Sequence, residues 1–310
     1  MGQEFDCDVL IIGGGCAGLT AALYAARSRL KTLLLDKLQP GGQLATTSEV
    51  ENYPGFPEPI LGPELMERFT SQAQRFDCEI RSGQVKSIDA SGPVVRVVHT
   101  DEGDFRAKAV IVASGADPKT LGVPGEDRLR GRGVSYCATC DAPFFRNKAV
   151  AAIGGGNTAV DEGMYLTKFA NSVSVIHRRD ELRATKIIQE RAFANPKMHF
   201  VWDTVCTEVV GKDVLEKLVL KNVKTNETSE LEVAGCFVLI GTKPNTEFLQ
   251  GLCELDDLGF VKVNERKETN VPGIFAAGDC EDAVWRQAVT AAGFGCSAAL
   301  AAKHYIDNLG

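Results

Sequence analysis

No apolar run in the 310 residues approaches the ~18 needed to cross a bilayer as a helix. Positive charge is not in excess: 34 Lys and Arg stand against 41 Asp and Glu, for a net charge of −7. Such an acidic balance argues against a nucleic-acid backbone or an anionic membrane as the main partner. The opening residues, MGQEFDCDVLII, lack the basic and apolar regions of an export signal, so a cytoplasmic location is expected. Histidine is scarce. The four present, at 99, 177, 199 and 304, are too far apart to complete a zinc site. Nor do the ten cysteines form a disulfide framework. Eight read as small buried hydrophobes, and only Cys137 and Cys140 make a close pair. Hydrophobic residues make up 44% and charged residues 24%, which excludes a disordered chain. The length suits two domains of roughly 100–200 residues each.

What is present is one pattern written twice. VLIIGGGCAGLTAALYAARSRLKTLLLDK begins at Val9, and VAAIGGGNTAVDEGMYLTKFANSVSVIHR begins at Val150. Each reads as an apolar strand, three glycines, an Ala-rich helix and a second apolar strand with a polar end, Asp36 or His177. The offset is 141 positions throughout. Each copy reads as a strand–turn–helix–strand unit for a dinucleotide. Gly13 and Gly154 permit the tight turn, and Gly15 and Gly156 let the backbone approach a pyrophosphate. Gly18, replaced by Ala159 in the second copy, lets the helix pack closely on the strand. The pyrophosphate then rests on a helix N-terminus.

The copies differ where such folds sort their ligands. Asp36 suits a ribose 2′-hydroxyl and repels a 2′-phosphate, so the first copy expects FAD or NAD. The second ends HRRDELR, which sets Arg178, Arg179 and Arg183 around His177. Guanidiniums suit a 2′-phosphate, so the second copy expects NADPH.

The fold expected is α/β: two Rossmann-like dinucleotide-binding domains, the second inserted into the first. Residues 1–117 and 247–310 form the FAD-binding domain, and 118–246 form the NADPH-binding domain that carries the cysteine pair. Linkers near 116–119 and 243–247 join them and can act as a hinge. Residues 37–55 read as loop and 62–76 as a helix with Leu65, Phe69 and Phe76 on one face. Segments at 94–99 and 104–108 suggest a small antiparallel excursion, and AVIVASGADP suggests a buried strand turning at Gly115.

The stretch SYCATCDAPF at 135–144 holds the cysteine pair. Taken alone it could be half a zinc site, a structural disulfide, a redox couple or two core residues. Asp141 follows at once. A carboxylate there would raise a thiol pKa, so proton delivery suits it better than charge stabilisation. It could also cap the helix that follows, with Pro143 just inside.

Taken together, GGGCAG, GGQL, EVENYPG, CATCD, GGGNTAV, HRRD and FAAGDC followed by RQA resemble the low-molecular-weight thioredoxin reductases. These are FAD-dependent pyridine nucleotide–disulfide oxidoreductases, and the resemblance runs the length of the chain. It implies that Gly13, Gly15, Gly18, Asp36, Gly42, Gln43, Asn52, Asp279, Arg286, Gln287 and Ala288 serve FAD, with Asp279 on a ribitol hydroxyl. It implies that Gly154, Gly156, Asn157, Thr158, His177, Arg178, Arg179 and Arg183 serve NADPH. Cys137 and Cys140 would be the redox disulfide, the second nearest the flavin and the first attacking the partner, with Asp141 as acid/base. A homodimer, thioredoxin as partner and rotation of the inserted domain between half-reactions are implied as well. Two departures stand out: Ala142 replaces a Gly found in many relatives, and Asp36 is not universal. Flavoproteins that serve peroxidases share CATCD but typically lack the arginine cluster. Such an enzyme, one serving a glutaredoxin-like acceptor, or a redox sensor without turnover are the alternatives.

Overall fold

Fully buried Val9, Leu10 and Ile11 anchor the first strand, β1 (Cys7–Ile12), where each apolar side chain contributes about 1.5–3 kcal/mol by leaving water. The computed structural model describes residues 5–47, 49–92, 94 and 96–309. After β1 come α1 (Cys16–Arg27), β2 (Thr32–Asp36), α2 (Gly62–Gln74), β3 (Glu79–Ser82), β4 (Val85–Asp89), β5 (Arg96–Thr100) and β6 (Asp104–Val112). The inserted part holds β7 (Val134–Ser135), α3 (Ala138–Asp141), β8 (Ala149–Ile153), α4 (Asn157–Leu166), β9 (Ser172–Ile176), α5 (Lys186–Phe193), β10 (Met198–Val201), β11 (Thr204–Val210), β12 (Lys217–Asn222), β13 (Thr228–Glu232) and β14 (Gly235–Val238). The chain then returns for β15 (Ile274–Ala276) and α6 (Ala288–Asp307).

The described chain divides into two compact units, with breaks after Asp117 and after Thr242. The main sheet of the first unit has the order β3-β2-β1-β6-β5-β4. β6 is its fork: its first half pairs with β5 antiparallel, and its last residues pair with β15 parallel. Strand β6 thus unites the antiparallel excursion and the buried AVIV strand, which the sequence presents as separate segments. Val95, part of the expected excursion, lies outside the described residues. Helices α1 and α6 pack against each other because their facing residues are small. A Cβ on Gly295 of α6 would sit 2.0 Å from the Ala17 carbonyl oxygen of α1.

The second unit has a parallel sheet in the order β7-β14-β8-β9-β10, with β11-β12-β13 as an antiparallel sheet. The repeat survives in three dimensions. Val9 pairs with Thr32 between β1 and β2, and Val150 pairs with Val173 between β8 and β9, so the registers match at the same offset.

Two expectations need adjusting. Residues 37–55 are not all loop: Gly42–Thr46 forms a 3₁₀ turn, and Glu49–Val50 pairs with Ile60–Leu61. Tertiary packing holds that turn, since a Cβ on Gly62 at the start of α2 would lie 2.1 Å from the Leu44 carbonyl oxygen. Ser48 lies outside the described residues. The second break also falls four residues earlier than the sequence suggests. Asn245 accepts the Ser114 hydroxyl at 2.7 Å and donates its N–H to the Gly115 carbonyl at 3.0 Å, and Thr246 donates to the Gly259 carbonyl at 2.6 Å. These bonds tie 243–246 to the first unit. The crossings Ala116–Pro118 and Thr242–Pro244 pair as a two-stranded ribbon.

Candidate functional site

In the first unit the glycine turn lies at the carboxyl ends of β1, β6 and β15, where open α/β sheets take ligands. Gly13 adopts φ +105°, a conformation that side chains rarely allow. A Cβ on Gly18 would sit 1.8 Å from the Gly13 carbonyl oxygen, so α1 presses on the turn as its small residue permits. Gly15 faces open space, with nothing within 4 Å of where a Cβ would stand, and no side chain caps α1 there. Uncapped N–H groups beside an open glycine make a cradle suited to a pyrophosphate.

Asp36 closes β2 with both oxygens engaged: Oδ2 accepts the Gly14 N–H at 2.6 Å, and Oδ1 accepts the Leu38 N–H at 3.0 Å. Its carboxylate therefore fixes the turn, and its remaining lone pairs are the ones left for a ribose hydroxyl. Gly42 lies against this turn, since a Cβ there would be 3.2 Å from Gly15 Cα. Gln43 donates its amide to the Ala116 carbonyl. The Asn52 amide reaches Gln287 Oε1 at 3.4 Å, which brings EVENYPG beside RQA. Gln287 also heads α6 in a capping box with Thr290, and Ala288 opens the helix.

Asp279 follows β15 in a short 3₁₀ turn. Burial, then the charge of Asp282, pushes its carboxyl up to about 6, while Arg286 pulls the other way. Asp282 is the residue the motifs did not reveal. It is 6% exposed, and its carboxylate accepts N–H groups from Val284, Trp285 and Arg286 at 2.8–2.9 Å. It thereby holds Arg286 at φ +46°, beside the Asp279 it opposes in charge. An Asp ahead of a short turn is the signal that could have found it.

The second unit repeats the cradle. Gly154 adopts φ +149°, and a Cβ there would be 2.6 Å from the Ala159 side chain and from the Leu239 carbonyl oxygen. Gly156 is open, and α4 has no side-chain cap. Asn157 Oδ1 accepts the Thr185 N–H at 2.8 Å, and the Gly155 carbonyl accepts the Arg183 N–H at 2.7 Å. These bonds staple the arginine loop to the glycine turn. Thr158 is exposed in the first turn of α4.

Arg178, Arg179 and Arg183 are exposed, and none has an ion pair among the described residues. Two of the nearby acids are engaged elsewhere: Lys224 bridges Asp180 at 2.8 Å and Asp203 at 3.0 Å, which leaves Glu181 as the acid within the turn against three arginines. An uncompensated cationic turn results, as a 2′-phosphate requires. His177 takes a different place from its arginine neighbours. It is 5% exposed, and its ring fills the space beside Gly155, where a Cβ would be 2.3 Å from Cε1. Its Nε2 has no hydrogen-bond partner among the described residues. Burial first, then Arg183 and Arg179, lowers its pKa, so the ring is neutral near pH 7. His177 props the turn from behind instead of joining the cationic face.

Cys137 caps α3 and Cys140 lies within it, the two joined as a disulfide with Cα atoms 5.4 Å apart. Backbone bonds define its frame. The Cys137 N–H goes to Ser135 Oγ at 3.1 Å, and the Cys140 N–H goes to Cys137 Sγ at 3.2 Å. The Ala138 N–H goes to Glu162 Oε2 at 2.9 Å. Asp141 ends α3, and its side chain makes no capping bond to the turn after it. Burial raises its pKa, against a lowering hydrogen bond from Ser135. A carboxyl whose hold on its proton is strengthened by burial suits acid/base work beside a thiol. Neither Ser135 nor Glu162 announces itself in the sequence, and Glu162 reaches Ala138 from 24 residues away.

The other eight cysteines are free, seven of them buried. Burial pushes the thiols of Cys7, Cys16, Cys78 and Cys280 up to about 12 and that of Cys206 up to about 11. These five thiols stay protonated near neutral pH and are inert as nucleophiles. No group of three metal-ligating side chains occurs among the described residues.

A family model for pyridine nucleotide-disulphide oxidoreductases matches residues 7–295. Thioredoxin reductase from Streptomyces coelicolor is 50% identical over 304 residues, covering 97% of this chain and 94% of its own. That of Bacillus subtilis is 45% identical over 310 residues, covering 100% and 98%. Among solved structures, thioredoxin reductase from Streptococcus pyogenes matches with a TM-score of 0.94 at 43% identity, covering 98% of this chain and 99% of its own. The Lactococcus lactis enzyme in its FR conformation matches at 0.67 with 44% identity, covering 98% and 100%.

Proposed function

The chain belongs to the pyridine nucleotide-disulphide oxidoreductase family, and on that premise we propose that it is an NADPH-dependent thioredoxin reductase. The cofactors are FAD and NADPH, and the protein substrate is oxidised thioredoxin. The observation that carries this reading is the joining of three features in one chain: two glycine cradles, an unpaired arginine turn on the second, and a single reactive disulfide. The first unit serves as the FAD domain and the second as the NADPH domain. Gly13, Gly15, Gly18, Asp36, Gly42, Gln43, Asn52, Asp279, Arg286, Gln287 and Ala288 hold FAD. Gly154, Gly156, Asn157, Thr158, Arg178, Arg179 and Arg183 hold NADPH, with His177 supporting the turn.

Bound FAD supplies a two-electron relay between NADPH and the disulfide. The chain's own residues do the rest. Reduction breaks the Cys137–Cys140 bond with two electrons and leaves two sulfurs to share the protons. Cys137 as thiolate attacks a thioredoxin sulfur, forming a mixed disulfide and expelling the other sulfur as a thiolate. Asp141 delivers the proton that quenches it. Cys140 then displaces the dithiol and restores the original bond. Thioredoxin sits near about −270 mV, so the pair must lie within tens of millivolts of that value to work reversibly.

Nucleotide cradle and disulfide both sit on the second unit, while the flavin belongs to the first. They act on it in turn by rotation of the second unit on its two linkers. The spread of match quality between solved relatives of similar identity, one in a named conformation, supports such mobility. We further assign a homodimer and a cytoplasmic location. No helix among the described residues is long and apolar enough to cross a membrane. Exposed Leu38, Val284 and Trp285 on the first unit are apolar side chains suited to a covered face.

Steady-state NADPH oxidation with candidate acceptors tests the substrate. Oxidised thioredoxin should sustain turnover. Sustained turnover with a peroxidase partner or a glutaredoxin-like protein, and none with thioredoxin, would assign the chain elsewhere.

A further inference from the structure

Glu162 stands on α4, the helix whose opening turn forms the second glycine cradle. Its Oε2 accepts the Ala138 N–H at 2.9 Å. That N–H belongs to the peptide leaving Cys137, so the carboxylate lies next to the nucleophilic residue. Three other amides of this turn are satisfied locally. Cys137 N–H goes to Ser135, Cys140 N–H to Cys137 Sγ, and Asp141 N–H to the Cys137 carbonyl at 3.2 Å. Of these acceptors only Glu162 carries a formal charge, and only it comes from a separate helix.

Two physical consequences follow. The bond fixes the plane of the Cys137–Ala138 peptide and, through it, the direction in which Cys137 Sγ projects. The charge opposes a second negative charge on that sulfur. Stabilising a thiolate stabilises the reduced pair and makes a disulfide a stronger oxidant. A dithiol that must reduce thioredoxin needs the opposite.

We propose that Glu162 is a positioning residue for the dithiol, orienting Cys137 through the Ala138 N–H and, by its charge, keeping the pair a strong reductant. The inference deepens the reductase reading and rests on the disulfide being redox-active. The test of the charge uses neither NADPH nor thioredoxin, so that arm and the reductase reading fail separately. Glu162→Gln keeps an acceptor of equal reach and removes the charge. Glu162→Asp keeps the charge and shortens the reach.

Holoenzyme reduced anaerobically with dithiothreitol is alkylated with iodoacetamide across pH, and mass spectrometry locates the label on Cys137. The Cys137–Cys140 bond is also equilibrated against glutathione buffers. In Glu162→Gln the alkylation profile should move to lower pH, with about threefold or more labelling at pH 7. The glutathione equilibrium should move towards dithiol by a similar factor. In Glu162→Asp both should stay near wild type while kcat with thioredoxin falls, and Glu162→Gln should retain more of that kcat at its pH optimum. Coincident profiles and equilibria for Glu162→Gln and wild type would overturn the role of the charge. A wild-type kcat in Glu162→Asp would overturn the role in orientation.

Discussion

Asp279 and Asp141 are both carboxyls that burial pushes upward, and the proposed function gives them opposite tasks. Asp279 reaches about 6 in the fold against an ordinary value of 3.8. The native chain therefore keeps a proton that the unfolded chain releases earlier. Stability falls as pH rises from about 4 through about 6, by up to about 3 kcal/mol, and then levels. Asp279→Asn should flatten that slope in urea unfolding of flavin-free protein. A ribitol hydroxyl donating to the carboxylate would lower its pKa again, so bound flavin should shrink the slope too. For Asp141, replacement by Asn removes the proton without changing the shape. Stopped-flow reduction of thioredoxin should slow by about a hundredfold, while flavin reduction by NADPH continues. A variant as fast as wild type in the first step would strip Asp141 of its role. These two residues were legible because they stand within motifs. Glu162 was not, since the amide it holds lies 24 residues away and only the fold brings it near; Asp282 works on amides two to four residues on, and its place outside the motifs is what hides it. His177 was legible as the end of a strand, yet nothing in HRRDELR tells its buried ring from its exposed neighbours.

The repeated strand–turn–helix element is the part that sequence spells most completely. Gly13 and Gly154 need positive φ, Gly18 has no room for a side chain, and each constraint leaves a glycine at a fixed spacing. Equal spacing then fixed equal strand register, as Val9–Thr32 and Val150–Val173 show. The 3₁₀ turn at Gly42–Thr46 left no such mark, because α2 packing against it, and not local preference, sets its shape. The difference between the two elements lies in their last residues, and it is testable. Arg178→Ala with Arg179→Ala should raise KM for NADPH about tenfold or more and leave NADH almost unchanged. The unpaired state of the arginines makes this a loss of ligand contacts, not of stability. Equal losses with both nucleotides would move the 2′-phosphate elsewhere.

At the scale of the molecule, the inserted arrangement is readable from the order of motifs, while the second break lies four residues earlier in the fold than composition suggests. Asn245 and Thr246 look like linker by composition, and only their bonds to Ser114, Gly115 and Gly259 assign them to the first unit. The proposed rotation needs the two crossings to act as one hinge. A cysteine-based cross-link that immobilises the units should stop thioredoxin turnover, and cleavage of the link should restore it. Full-speed turnover in the linked state would remove rotation from the mechanism. The relay itself is tested most directly by anaerobic titration of the purified protein and of Cys137→Ser, followed by flavin absorbance. NADPH should bleach the flavin in both. Oxidised thioredoxin should then return the colour in the unmodified chain and leave Cys137→Ser bleached. A chain that binds no flavin, or a Cys137→Ser protein that thioredoxin reoxidises as fast as the original, would contradict the account.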